Sequence, residues 1–69
     1  MVKEYFIKIE DPDQFETGEN LLKRGLWFLE TDMHKIDNET FKTYTKTAYE
    51  QAFKYLKQKG LKIIGYESP

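Results

Sequence analysis

The sequence predicts a small α+β domain in the order β-α-β-α-β, a three-stranded sheet with helices packed on one face. Three observations lead there. "VKEYFIKIE" (2–10) alternates apolar and charged side chains. "EDPDQ" and "LLKRG" bracket a helix by its start and stop signals. The stretch 38–59 has helical apolar spacing and ends in Gly60, ahead of the β-prone "LKIIGYE" (61–67).

In the first strand, Tyr5, Ile7 and Ile9 share one face, and Glu4, Lys8 and Glu10 share the other with Phe6 among them. Aromatic and β-branched side chains suit a pleated, half-buried surface. Phe6 means that the charged face is not purely solvated. Asp11 is then placed to cap a helix, with Pro12 at its first position and Gln14 at capping-box spacing. Asp13 and Glu16 suit the positive end of the helix dipole. Phe15, Gly18, Leu21 and Leu22 would face inward.

"LLKRGLWFLETD" (21–32) admits two structures. Phe15, Leu22, Leu29 and Ile36 are spaced by seven, with Leu26 and Met33 between them, which fits one long helix over 12–36 and a β-α-α-β fold. Gly18 and Gly25 oppose it, each costing a helix interior about 1 kcal/mol relative to alanine. Gly25 also follows two basic residues, as a helix stop does, and is expected at positive φ. The preferred reading ends the helix there and makes 26–31 a strand. "YLKQKGLKIIGYE" repeats the same order of leucine, basic residues, glycine and β-prone run.

Over 38–59, "NETFKTYTKTAYEQAFKYLKQK", Asp37 or Asn38 would cap one helix. Phe41, Thr45, Ala48, Ala52 and Leu56 fall on one stripe, bordered by Tyr44 and Tyr55 on one side and Tyr49 and Phe53 on the other. The apolar arc spans about 180°, against the roughly 100° that covering a core requires. In 61–67, Leu61 and Ile63 take one face and Ile64 and Tyr66 the other.

At 69 residues the chain is expected to be one domain, 1–69. A domain of this size buries only about 60 % of the surface its unfolded chain exposes. Good packing or self-association is its expected stabiliser, since it has no cysteine and one histidine. The absence of cysteine fits the cytoplasm. Charges break the N-terminus into apolar runs of at most three residues, so no signal peptide is expected, and no run of 18 apolar residues occurs to span a membrane. Net charge is −1, with five basic and nine acidic side chains in 1–37 against six and three in 38–69. That balance supplies no general attraction to nucleic acid.

The acidic run Glu10, Asp11, Asp13, Glu16, Glu19 fails as a calcium loop, because Phe15 and Glu16 occupy the fifth and sixth positions counted from Asp11. A favourably charged helix start explains it better than imitation of a phosphate backbone does. Lys42, Lys46, Lys54 and Lys57 form the candidate nucleic-acid face, interrupted by Glu50, in a chain with one arginine. Tyrosines and Trp27 are able to stack on bases, but the glycine-aromatic signature of RNA-recognition domains is missing. His34 lies between Asp32 and Asp37 with no nucleophile or glycine-rich phosphate loop to complete a site.

The sequence therefore favours a small non-catalytic binding or regulatory protein that acts by protein contact and takes no cofactor or metal. Its composition suits an accessory protein encoded by a phage or mobile element that modulates a host protein. The expected contact residues are Tyr49, Phe53 and Trp27, facing a protein partner or a second copy. Nucleic-acid binding through the lysine face and tyrosines is the alternative.

Overall fold

The computed structural model describes residues 3–25 and 33–68. Strand β1 (Tyr5–Ile9) leads through a 3-10 turn (Pro12–Gln14) into α1 (Phe15–Arg24). Strands β2 (His34–Lys35) and β3 (Thr40–Thr43) follow, then α2 (Lys46–Gln58) and β4 (Ile63–Glu67). The four strands form one antiparallel sheet in the order β2-β3-β1-β4. This β-α-β-β-α-β order is the split β-α-β, ferredoxin-like arrangement. A fold shared by so many activities defines no function by itself.

The sheet differs from the sequence expectation in having four strands, because residues 40–43 are strand rather than the start of a long helix. Asp37 caps no helix: its carboxylate accepts the Glu39 N–H at 2.7 Å and shapes the turn of a β2–β3 hairpin, closed by Ile36 N–H on the Thr40 carbonyl at 3.0 Å. Thr40-Phe41-Lys42-Thr43 then pairs with β1, Phe41 opposite Ile7 and Thr43 opposite Tyr5. The helix begins after Thr45, whose carbonyl accepts the Tyr49 N–H. Phe41 still reaches the core, from the sheet.

The α1 segment agrees with its start signals. Asp11 accepts the Asp13 N–H at 3.0 Å, but the Gln14 side chain accepts the Lys62 N–H instead of closing a capping box. Helix α1 ends at Arg24 and a strand occupies His34–Lys35, so one helix over 12–36 does not form. Gly25 caps α1 at φ −81°, not at the expected positive φ, bonding back to Leu21 through an ordinary helical turn. The expected strand 26–31 and Trp27 lie outside the described residues.

The end of α2 does use a left-handed glycine. Gly60 has φ 87°, Gly60 N–H bonds to the Lys57 carbonyl and Leu61 N–H to that of Leu56. That is a Schellman cap, and its usual apolar contact is present because Leu56 and Leu61 join the same core.

Both helices cover one face of the sheet. The core between the layers is Ile7 and Ile9 of β1, Leu22 of α1, Met33, Phe41, Ala52 and Leu56 of α2, Leu61 and Ile63. Phe15 stacks flat on Phe41, with ring centroids 4.9 Å apart. Ala48 and Ala52 are the small residues that let α2 settle on the strands.

Candidate functional site

The alternation that buries Tyr5, Ile7 and Ile9 sends Phe6 and Lys8 to the opposite face. The register extends this face across the sheet. Phe6 stands opposite Lys42 of β3 and Tyr66 of β4, and Lys8 opposite Thr40 and Ile64. His34 stands opposite Lys42, and Ile36 bonds across to Thr40. Among the described residues no element covers this face. The exposed large hydrophobic side chains gather on it or at its rim: Ile36 (44 % exposed), Tyr44 (41 %), Ile64 (44 %) and Tyr66 (46 %).

Phe6 and Tyr66 stack across the strands at 4.9 Å and 16°. Lys42 bonds to the Glu4 carboxylate at 3.0 Å and lies over the Tyr44 ring at 5.1 Å. The hydrogen bond to Glu4, followed by one to Tyr44, raises the Lys42 pKa and keeps the ammonium charged. Lys8 pairs with Glu39 at 3.7 Å. The face is therefore an apolar-aromatic patch on which Lys8 and Lys42 are matched by carboxylates.

The sequence-selected contact residues sit elsewhere. Tyr49 and Phe53 are half-buried at one flank of α2. Tyr49 stacks on Tyr5 at 5.3 Å, and both rings reach over Gly65 of β4. Burial, and then Glu67 and Glu50, raise the Tyr49 pKa. These rings seal the rim of the core, which leaves only part of their surface for a contact. The four candidate lysines do not share a face. Lys42 is on β3 and the open side of the sheet, while Lys46, Lys54 and Lys57 are on α2 in the other layer, with Lys57 over the Phe53 ring at 5.7 Å. Only a single helix over 38–59 would join them.

The remaining candidates are absorbed into the fold. Glu19 of the acidic run pairs with Lys35 at 3.5 Å and lies 4.0 Å from Lys23. His34 lies on the edge strand β2, its ring tilted against Tyr44 at 6.2 Å. Among the described residues no helix is long and apolar enough to cross a membrane. Comparison of the chain with protein-family models, with curated proteins and with solved structures finds no match.

The open face was only half visible in the sequence. Phe6 on the charged side of β1 was one signal, and Ile64 and Tyr66 opposite Ile63 were another. Their adjacency depends on β4 pairing with β1, which no local pattern carries.

Proposed function

We propose that the chain is a small non-catalytic binding domain that acts by protein–protein contact through the open face of its sheet. One observation supports this above the others: the exposed large hydrophobics Ile36, Tyr44, Ile64 and Tyr66 collect around Phe6 on one face. Contiguous apolar patches with polar rims mark contact sites. Aromatic side chains at the centre of such a patch are typical anchors. The partner surface is apolar at its centre and of mixed charge at its edge, matching Lys8, Glu39, Glu4 and Lys42. The domain works in the cytoplasm, as an accessory protein of a phage or mobile element that modulates a host protein. The cysteine-free composition is compatible with that compartment.

Nucleic-acid binding is the second reading, because aromatic rings on an open four-stranded sheet can stack bases. It ranks lower because Glu4 and Glu39 already neutralise the lysines that would meet phosphate. The test replaces Phe6 and Ile36 by threonine, which keeps β-propensity and changes no residue of α2 or β4. A partner cross-linked at Lys8 or Lys42 of the wild type and lost by the folded double variant supports the proposal. Equal binding by the variant overturns it. Oligonucleotide binding that falls steeply with salt and disappears in Lys42→Glu favours the second reading instead.

A further inference from the structure

Among the described residues strand β4 is a sheet edge, and its interior has none of the devices that usually protect one. The other edge, β2, is only two residues long. β4 runs for five residues in unbroken register with β1, without a bulge, a proline or an internal charge. Natural edges of that length are blunted unless something pairs with them.

The direction of its backbone groups defines what fits. Glu10 N–H bonds to the Lys62 carbonyl and Ser68 N–H to the Glu4 carbonyl. Hydrogen-bonded pairs alternate along an antiparallel ladder. Residues 62, 64, 66 and 68 therefore turn their backbone groups toward β1, and Ile63, Gly65 and Glu67 turn theirs outward. That outward set is symmetric about Gly65.

We propose that β4 pairs antiparallel with β4 of a second copy, on a two-fold axis at Gly65, to give a continuous eight-stranded sheet. In this register Gly65 faces Gly65 of the other copy, and Ile63 faces its Glu67. These pairs exchange all the outward N–H and C=O groups. Alternation is preserved, so Ile64 meets Tyr66 of the other copy on the open face. Antiparallel pairing also keeps the two Glu67 carboxylates at opposite ends of the ladder, whereas parallel pairing would set them together.

The helix layer fits as well. Helix α2 lies across β1, β3 and β4. With strands about 4.8 Å apart, the two copies of α2 would lie roughly 14 Å from each other if each is centred over β1. Packed helices are about 8–10 Å apart, so side chains must fill the space. Tyr49 and Phe53 are on that flank, half-buried over Gly65. This gives a use to the part of both rings that the monomer core leaves uncovered. The pairing also places two open faces side by side, but does not depend on what binds them.

Glu67→Pro is the sharpest variant. It removes an outward N–H and leaves every β1–β4 bond intact, and proline is tolerated on an edge strand facing solvent. Sedimentation should show a wild-type dimer and a folded variant whose dimer dissociation constant is at least about tenfold higher. In the wild-type protein, amide exchange at Ile63, Gly65 and Glu67 should slow as concentration rises. A wild type that stays monomeric to about 1 mM overturns the proposal. So does a dimer in which those three amides exchange freely, or one that Glu67→Pro leaves unchanged. The Phe6 and Ile36 double variant keeps every outward backbone group of β4 and should still dimerise, which separates this test from that of the open face.

Discussion

The Tyr49 hydroxyl occupies the space where a side chain at Gly65 would begin. A Cβ built on Gly65 would collide with that oxygen and come within 3.0 Å of the Phe53 ring. Gly65 stands opposite Ile7, so its missing side chain is missing from the helix-facing side. Helix α2 can therefore lower two aromatic rings onto the outermost strand. Gly65→Ala should destabilise by about 1 kcal/mol, the low end for overpacking because the atoms met are the outer ends of half-buried rings and not backbone. Tyr49→Phe removes the nearest obstacle and should recover part of that loss. Denaturant melts of the two single variants and the double variant measure the coupling, and strict additivity would sink the explanation.

Gly60 is constrained by its backbone alone. Its φ of 87° lies in the left-handed region, and nothing stands within 4 Å of a Cβ built there. Gly60→Ala should cost about 1–2 kcal/mol, the strain of an L-residue in that conformation. Gly60→Asn should cost less, because asparagine tolerates the left-handed region better. Thermal melts of the pair check this order.

Much of the framework was legible because it rests on local patterns. Tyr5-Phe6-Ile7-Lys8-Ile9 alternates cleanly, and Ala48, Ala52 and Leu56 recur at helical spacing. The segment 38–45 was ambiguous for a physical reason. Asp37 and Asn38 suit a helix cap and a tight turn equally. Phe41 fits the helical stripe through Thr45 and Ala48, yet also alternates with Thr43. The β-branched pair Thr40 and Thr43 was the signal for a strand, and the pairing of 40–43 with β1 decided the outcome. β2, two residues long, is too short to leave a pattern. The open face needed the strand order, which is a tertiary property.

The alkaline limb of stability follows from two side chains. Lys42 is held protonated above its ordinary value of 10.5, chiefly by its hydrogen bond to Glu4. Tyr49 is held protonated above its ordinary value of 10.0, chiefly by burial. Both folded-state values are raised, so both contributions are complete below about pH 10 and are lost as pH climbs through the folded values. The melting temperature should therefore fall above pH 10. Tyr49→Phe should flatten that fall, while Lys42→Gln, whose hydrogen bond to Glu4 is only part-buried, should flatten it less. Melts from pH 8 to 12 that superimpose for wild type and Tyr49→Phe would exclude the assignment.

Phe6 and Phe41 show the difference between a ring available for contact and a ring that holds the fold. Phe41 is fully buried and stacked on Phe15, so Phe41→Ala should cost about 3–5 kcal/mol. A single core of this size rarely supplies more than about 3–5 kcal/mol in all, so that variant should be largely unfolded. Phe6 is half-buried on the other face, and its neighbour Tyr66 is 46 % exposed. Their stack should be worth only about 0.5–1.5 kcal/mol in a double-mutant cycle with Phe6→Thr and Tyr66→Thr. Both threonine variants should keep the native circular dichroism while removing apolar area from the open face. If Phe6→Thr instead unfolds the chain as Phe41→Ala does, Phe6 is a core residue and the patch loses its centre. The comparison needs only three melts beside the wild type and a fourth for the double variant, all at one low protein concentration so that association through β4 does not contribute.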